Sequence, residues 1–157
     1  MFHSLTSIEI EDMLKHQLIG HLGCQADGMV YVVPISYAYE DGFIYARTQE
    51  GMKINMMRKN PAVCFQVEVT SDLANWKSVI AWGEYEELTD PEERKKGLNV
   101  LLKRILPVVT SETMKITADW PYAPDDLNEI TGIIFRIEIR DKTGRVENKE
   151  PKSFFAS

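Results

Sequence analysis

The sequence has 157 residues, 44% of them hydrophobic and 27% charged, which suits one compact domain and is too short for two ordinary ones, so we treat residues 1–157 as a single domain. The formal net charge of −6 at pH 7 argues against nucleic acid as a partner, because binding to its phosphates requires an excess of Lys and Arg. No apolar run approaches the length that crosses a bilayer, and the first residues lack the pattern of a signal peptide, so we expect a cytoplasmic protein without membrane contact.

The first part of the chain predicts a helix followed by a series of strands. Thr6 and Glu9 fit a capping box, and the apolar residues that follow recur close to a helical period, which predicts a helix over residues 7–17. Asp-Gly pairs at residues 27–28 and 41–42 are typical of tight hairpin turns. The strands around them are predicted at residues 19–26, 30–39 and 43–47. Three consecutive strands joined by tight turns indicate an antiparallel meander.

The rest of the chain predicts two more helices and three more strands. A short helix is expected over residues 51–60, ended by Pro61, and a longer one over residues 90–106. The further strands are expected at residues 62–69, 77–87 and 132–141. Gly83 marks a bend or a close backbone approach, and residues 110–128 mix aromatic and helix-breaking residues, which suits a lid or loop. About six short strands with helices at some turns predict a mainly β protein, a small barrel with accessory helices.

The stretch YARTQEGMK, residues 45–53, joins the end of a strand to the start of a helix. Backbone N–H groups at a helix N-terminus carry partial positive charge, so a phosphate can accept several hydrogen bonds there. Arg47, Thr48 and Lys53 add a guanidinium fork, a hydroxyl and an ammonium, and Gly51 allows a ligand to approach. The alternative is that the charges are solvated surface residues and Gly51 is only a turn residue. Spacing alone does not decide between these two interpretations.

The predicted strand at residues 30–39 has small side chains at alternate positions. These are Val32, Pro34, Ser36 and Ala38. A flat ring could lie against such a face, or a neighbouring helix could pack there. Pro34 also removes a donor from the ladder, which places it at an edge or a bulge.

Together these segments resemble the FMN-binding split-barrel superfamily related to pyridoxamine 5'-phosphate oxidase, and within it the branch that includes the nitroimidazole-resistance reductases. The likeness covers about residues 19–88, with a weaker echo at residues 133–144. Its recognisable parts are VVPISYAYEDGFIYARTQEGMKINMMRKNPAVCF and WKSVIAWGEYEEL. The resemblance implies an antiparallel six-stranded split β-barrel with its core at about residues 19–141, and FMN as the cofactor.

The resemblance also implies a set of flavin-binding residues. In the family, one strand borders the isoalloxazine ring, the following turn holds the phosphate, and a later segment reaches the flavin held mainly by the other subunit of a homodimer. The positions that match are Val33, Pro34, Ile35, Ser36, Arg47, Thr48, Met52, Lys53, Lys77 and Ser78. Trp120 joins them because an aromatic side chain in the irregular segment could cover a flavin or a substrate.

The sequence indicates no particular catalytic residue and no metal site. None of its three histidines belongs to a metal-ligand cluster. His21 could reach a pocket as a proton donor, but a lone histidine in a strand is more often a surface residue or a hydrogen-bonded core residue.

Two departures from the family limit the function that the resemblance implies. The chain ends in KTGRVENKEPKSFFAS and lacks the oxidase's substrate-binding segment rich in Trp, Arg and His, so a true pyridoxamine 5'-phosphate oxidase is not expected. Residues 46–48 read Ala-Arg-Thr, where the reductase branch commonly has a histidine. We therefore predict an FMN-dependent oxidoreductase that passes electrons from a reduced nicotinamide or other donor to a small-molecule acceptor. The alternatives are a non-catalytic flavin-binding protein and a fold relative that binds haem or a deazaflavin.

Overall fold

The computed structural model describes residues 1–104, 127 and 130–149, and within them the chain forms three helices and eight strands. The strands are β1 (Phe2–Ser4), β2 (Ile19–Ala26), β3 (Met29–Ser36), β4 (Ala38–Glu40), β5 (Phe43–Thr48), β6 (Ala62–Asp72), β7 (Asn75–Glu87) and β8 (Ile133–Glu147). The helices are α1 (Ser7–His16), α2 (Met52–Lys59) and α3 (Pro91–Lys103). None of these three helices combines the length and the apolar character needed to span a membrane.

All eight strands belong to one antiparallel sheet. Its order is β3-β2-β6-β7-β8-β5-β4, and β1 pairs with β8. The two ends of this order, β3 and β4, are consecutive in sequence and separated only by Tyr37. The covalent link through Tyr37, and not a ladder of hydrogen bonds, therefore connects the two ends of the sheet. The second edge of β3 has no strand partner in the described part of the chain. The hydroxyl of Tyr37, which is buried, donates to the backbone oxygen of Leu14 at 2.7 Å and fixes the crossing against α1.

Local sequence signals set the starts of two helices as predicted. The backbone N–H of Glu9 donates to Thr6 Oγ1 at 3.2 Å, and the backbone N–H of Thr6 donates to Glu9 Oε1 at 3.4 Å, which completes the capping box. In α3, the backbone N–H of Glu93 donates to Asp90 Oδ2 at 3.2 Å, and Pro91 occupies the first turn, where its missing N–H costs nothing.

Both Asp-Gly pairs form the predicted hairpin turns. Asp27 and Gly28 have φ values of 52° and 76°, and Asp41 and Gly42 have values of 50° and 80°. Two consecutive positive φ angles define the turn whose twist matches that of the flanking strands. These turns fix the register of β2 with β3 and of β4 with β5.

The main hydrophobic core fills the barrel, and a smaller core lies under α3. The fully buried side chains of the main core include Leu14, Leu22, Tyr37, Ile44, Ile54, Met57, Phe65, Val67, Val79, Phe135 and Ile137. The smaller core contains Tyr45, Leu98, Leu101 and Ile134. Strand β5 contributes to both, because successive residues of a strand point to opposite faces.

The predicted close approach at Gly83 is confirmed. A Cβ at this position would lie 2.2 Å from the backbone oxygen of Glu138. The register of β7 with β8 shifts between Trp82 and Gly83, so the glycine occurs where the strand pair is most distorted.

The predicted fold class, a mainly β split barrel with accessory helices, is confirmed, but the described residues contain eight strands where six were expected. The strand predicted at residues 30–39 is two strands, because the chain exchanges β2 for β5 as its pairing partner at Tyr37. Strand β1 was not predicted, because a three-residue strand has no detectable period. Part of the predicted helix, residues 105–106, and the predicted lid or loop at 110–128, except residue 127, lie outside the described residues.

Candidate functional site

The turn between β5 and α2 leaves the first N–H groups of the helix open. Gly51 is the N-cap of α2, and no side chain caps the helix there. A Cβ at Gly51 would meet no heavy atom of the described residues within 4 Å, and its φ of 175° is extended backbone that any residue adopts. Within the described residues, neither strain nor packing therefore requires glycine at this position, and the first N–H groups of the helix have no side-chain cap.

Lys53 lies in the first turn of α2 and is half-buried. Burial lowers the pKa of its ammonium, and the neighbouring thiol of Cys24 opposes this effect. No carboxylate of the described residues is among the charges that act on Lys53, whereas Lys59, in the last turn, pairs with Asp27 at 2.6 Å. A desolvated ammonium without an acidic partner is stabilised when an anion binds beside it. We call Gly51, the first-turn N–H groups of α2 and Lys53 the candidate phosphate site.

Glu50 precedes this site, but its negative charge is paired with a cation. Its carboxylate accepts two hydrogen bonds from Arg58, both at 2.9 Å, and these bonds lower the pKa of Glu50. Arg58 also pairs with Glu87 at 2.7 Å. The repulsion that Glu50 would exert on a phosphate at Gly51 is therefore reduced.

Arg47, a predicted phosphate ligand, contacts the turn before β8. Its Nε donates to the backbone oxygen of Thr131 at 2.6 Å, and its Nη2 to Thr131 Oγ1 at 3.4 Å. Arg94 donates to the backbone oxygen of Ile130 at 2.5 Å. Burial lowers the pKa of Arg47, and the like charge of Arg94 adds to this. Arg47 thus contributes to holding this turn, and a role in binding phosphate stays a prediction.

Thr48 and Met52 are two other predicted ligand residues of this turn. Thr48 Oγ1 donates to the backbone oxygen of Gln49 at 3.3 Å. The side chain of Met52 is half-exposed at the start of α2. Trp120 lies outside the described residues.

The predicted ring-binding strand, β3, points its side chains to opposite sides. Val33 and Ile35 face the main core, whereas Pro34 and Ser36 face away from it, opposite His21 and Ile19 of β2. Strand β3 has no strand partner on its second edge within the described residues, and Arg104 Nη2 donates to Ser36 Oγ at 3.5 Å at the end of the strand.

The side of the sheet that points away from the main core forms a continuous surface, which we call the outer face. The strand register places on it Val30, Val32, Pro34 and Ser36 of β3, Ile19, His21, Gly23 and Gln25 of β2, Cys64, Gln66 and Glu68 of β6, Ser78, Ile80 and Trp82 of β7, and Thr143 and Arg145 of β8. Four large apolar side chains are exposed there, Val30 (73%), Val32 (62%), Ile19 (52%) and Trp82 (41%). Val30 and Val32 are neighbours on the same side of β3.

The predicted pair Lys77 and Ser78 is divided between the two faces of β7. Ser78 belongs to the outer face and accepts a hydrogen bond from Gln66 Nε2 at 3.2 Å. Lys77 has the opposite orientation and is exposed. The fold thus brings Pro34, Ser36 and Ser78 to one surface, and Lys77 does not share it.

Sequence reasoning missed Gln66 and found no partner for His21. His21 Nδ1 lies 3.3 Å from Gln66 Oε1, so both belong to a polar chain that ends at Ser78. Strand alternation would have placed each residue on a face, but not beside the other. The described residues contain no group of three His, Cys, Asp or Glu side chains that could hold a metal ion.

The chain is thus a mainly β split barrel in which the N-terminus of α2 has no side-chain cap, and the comparisons with known proteins give its family. The chain belongs to the pyridoxamine 5'-phosphate oxidase family, a flavin-binding family whose model matches residues 6–146. An FAD-binding protein of Mesorhizobium loti is 34% identical, with a TM-score of 0.72 and 94% of this chain and 99% of that chain covered.

Two further relatives extend the comparison. A protein of Bacteroides thetaiotaomicron described as a 5-nitroimidazole antibiotic resistance protein shares the fold, with 19% identity, a TM-score of 0.70 and coverage of 93% of this chain and 87% of that one. An uncharacterized protein of Rhizobium meliloti (strain 1021) is 39% identical over 70 residues, which span 45% of this chain and 46% of that protein. The predicted family is confirmed.

Proposed function

We propose that the protein is a flavin-dependent oxidoreductase that binds FMN and passes electrons from a reduced nicotinamide or other donor to a small-molecule acceptor. The observation that carries the proposal is the environment of Lys53, whose ammonium is half-buried without a carboxylate partner among the described residues. It lies in the same helical turn as the open N–H groups that follow Gly51. These groups fit the charge and the acceptor oxygens of a phosphate.

The choice of FMN rests on the size of this site. One ammonium and one helix N-terminus match the single terminal phosphate of FMN. FAD is the alternative, because the Mesorhizobium loti relative is an FAD-binding protein and the open space at Gly51 leaves room for a second phosphate.

A bound flavin would supply the redox chemistry, since it accepts and releases electrons without help from a protein nucleophile. The chain's own residues bind and orient it. Lys53 and the start of α2 hold the phosphate, the free edge of β3 at Val33 to Ser36 borders the ring, and Ser78 offers a hydroxyl at the ring side. We assign no residue a catalytic role.

We further propose a homodimer with a flavin at each side of its interface. The exposed apolar residues of the outer face, led by Val30 and Val32, favour contact with a second copy, because a twofold interface pairs the same patch on both subunits. Such an interface would bring Ser78 of each subunit toward the β3 edge of the other. A cytoplasmic location stays a prediction.

The test is to purify the protein, record its visible spectrum and titrate the flavin-free form with FMN, FAD and riboflavin, following the quenching of flavin fluorescence. We expect saturable binding with FMN bound most tightly, and reduction of the bound flavin by NADH or NADPH under anaerobic conditions. A protein that takes up none of the three flavins would contradict the proposal. Tight binding without reduction by either nicotinamide would favour the non-catalytic flavin-binding alternative, and a haem or deazaflavin spectrum would favour the third.

A further inference from the structure

A chain of three polar side chains crosses the outer face from β2 through β6 to β7. His21 Nδ1 lies 3.3 Å from Gln66 Oε1, and Gln66 Nε2 donates to Ser78 Oγ at 3.2 Å. Their strands are adjacent in the sheet. Because Pro34 is directly opposite His21 on β3, the chain extends up to the strand that we propose borders the flavin ring.

The amide of Gln66 gives this chain a direction. An amide has an oxygen that only accepts and a nitrogen that only donates. Its oxygen faces His21, so His21 Nδ1 must carry the hydrogen. Its nitrogen faces Ser78, so Ser78 Oγ acts as the acceptor in that contact and retains its own hydrogen for another partner.

The charged neighbours of Ser78 do not accept that hydrogen. Glu68 is its cross-strand neighbour on β6 and Arg145 its neighbour on β8. No described residue accepts a hydrogen bond from the Ser78 hydroxyl, and Arg145 can only donate, as it does to Ser4. The free hydrogen of Ser78 is therefore available to a ligand on the outer face.

We infer that Gln66 is a positioning residue that fixes Ser78 as a hydrogen-bond donor to an acceptor atom of the flavin ring. The inference rests on the proposed function, in which Ser78 of one subunit lies at the ring side of the flavin held by the other subunit. Gln66 acts through Ser78 and through the tautomer of His21, and it does not need to touch the flavin. A donor to the ring stabilises its more electron-rich form, so this contact raises the reduction potential of the bound flavin.

The first arm of the test uses the flavin-free protein. Long-range 1H–15N spectra distinguish the two neutral tautomers of a histidine, and the signals of His21 are identified by their loss in His21→Gln. We expect the Nδ1–H tautomer in the wild type and a shift toward the Nε2–H tautomer in Gln66→Met. An Nε2–H tautomer in the wild type would overturn the inference. The Gln66 amide nitrogen would then donate to His21 Nδ1, and the Ser78 hydroxyl would donate its hydrogen to the Gln66 amide oxygen.

The second arm uses the FMN-loaded protein and a double-mutant cycle. Ser78→Ala and Gln66→Met should each lower the reduction potential of the bound flavin and raise the FMN dissociation constant by roughly 2- to 13-fold, the range for one neutral hydrogen bond. The double variant should show no further change, because both substitutions remove the same contact. The matched control is Gln17→Met, the same exchange at the C-cap of α1 and away from the outer face, where no side-chain hydrogen bond among the described residues is lost, and it should leave both quantities unchanged.

The two proposals fail in different ways. A wild-type protein that binds no flavin would overturn the proposed function and this inference with it. A loaded protein in which Ser78→Ala and Gln66→Met have additive effects, or in which Gln66→Met has none, would overturn the inference alone.

Discussion

Replacing Lys53 with methionine tests the candidate phosphate site directly. The exchange keeps a long unbranched side chain and removes only the ammonium. A hydrogen bond to a charged group contributes about 1.5–3 kcal/mol, and about 1.4 kcal/mol corresponds to a tenfold change in affinity. Because Lys53 is half-buried and has no carboxylate partner in the described part of the chain, we expect the full range, a rise of about 10- to 150-fold in the FMN dissociation constant.

The assay compares FMN with riboflavin, which has the same ring and no phosphate. Fluorescence titrations of Lys53→Met should show weaker binding of FMN and unchanged binding of riboflavin. Lys59→Met is the matched control, because Lys59 belongs to the same helix and forms an exposed ion pair with Asp27, with side chains 62% and 73% exposed. If Lys53→Met weakened both ligands equally, or neither, the phosphate assignment would be refuted.

The lowered pKa of Lys53 also predicts how the affinity for FMN depends on pH. Burial lowers the pKa of Lys53 in the folded protein, and only the ammonium form attracts a phosphate. FMN affinity should therefore fall as pH rises through this lowered pKa, and the fall should be absent in Lys53→Met.

In the flavin-free protein, Lys53 has a lowered pKa in the native state and the ordinary lysine pKa in the unfolded chain. Between these two values the unfolded chain binds more protons than the native state. The free energy of unfolding therefore rises with pH across that window. At neutral pH the buried charge is destabilising, and Lys53→Met should raise the melting temperature of the empty protein.

Two further substitutions test the interface and the barrel. Val32→Glu places a charge among the exposed apolar residues of the outer face and should yield a monomer in sedimentation velocity. The control is Ile8→Glu on α1, where the side chain is 82% exposed, and this variant should remain a dimer. A monomeric wild type would contradict the proposed homodimer. Gly83→Ala forces a methyl group to 2.2 Å from the backbone oxygen of Glu138 and should lower the free energy of unfolding by at least about 1–3 kcal/mol in urea titrations. The comparison variant Gly51→Ala should change it by less than about 1 kcal/mol, and equal effects would show that contact with the neighbouring strand is not the cause.

The features predicted correctly from the sequence are those that depend on a few neighbouring residues. The capping box needs only Thr6 and Glu9, and each hairpin needs only its Asp-Gly pair. The face of each strand also follows from alternation, as in β8, where Phe135 and Ile137 are buried and Arg136 is on the other side. Such signals gave the fold class, since each one is local and they agree with one another.

The contacts of the candidate site could not be predicted in the same way, because they depend on which strands are neighbours. His21 and Gln66 are 45 residues apart, and Arg47 and Thr131 are 84 apart. No residue near Arg47 in sequence indicates that its guanidinium donates to the backbone oxygen of Thr131, just before β8. The strand at residues 30–39 was predicted as one element for the same reason, since its change of partner at Tyr37 is a property of the whole sheet.

The two halves of the candidate site lie on opposite sides of the sheet, which links flavin binding to the proposed dimer. Lys53 lies beside Cys24, whose side chain points into the barrel, whereas Ser78 belongs to the outer face. In the arrangement that we propose, a flavin held at Lys53 extends along the free edge of β3, where the outer face of a second copy would meet it. A monomeric Val32→Glu should therefore keep its phosphate contact and lose its ring-side contact, so that FMN and riboflavin are weakened by the same factor. That pattern is the opposite of the one expected for Lys53→Met, and unchanged riboflavin binding in a monomer would show that one chain forms the ring site alone.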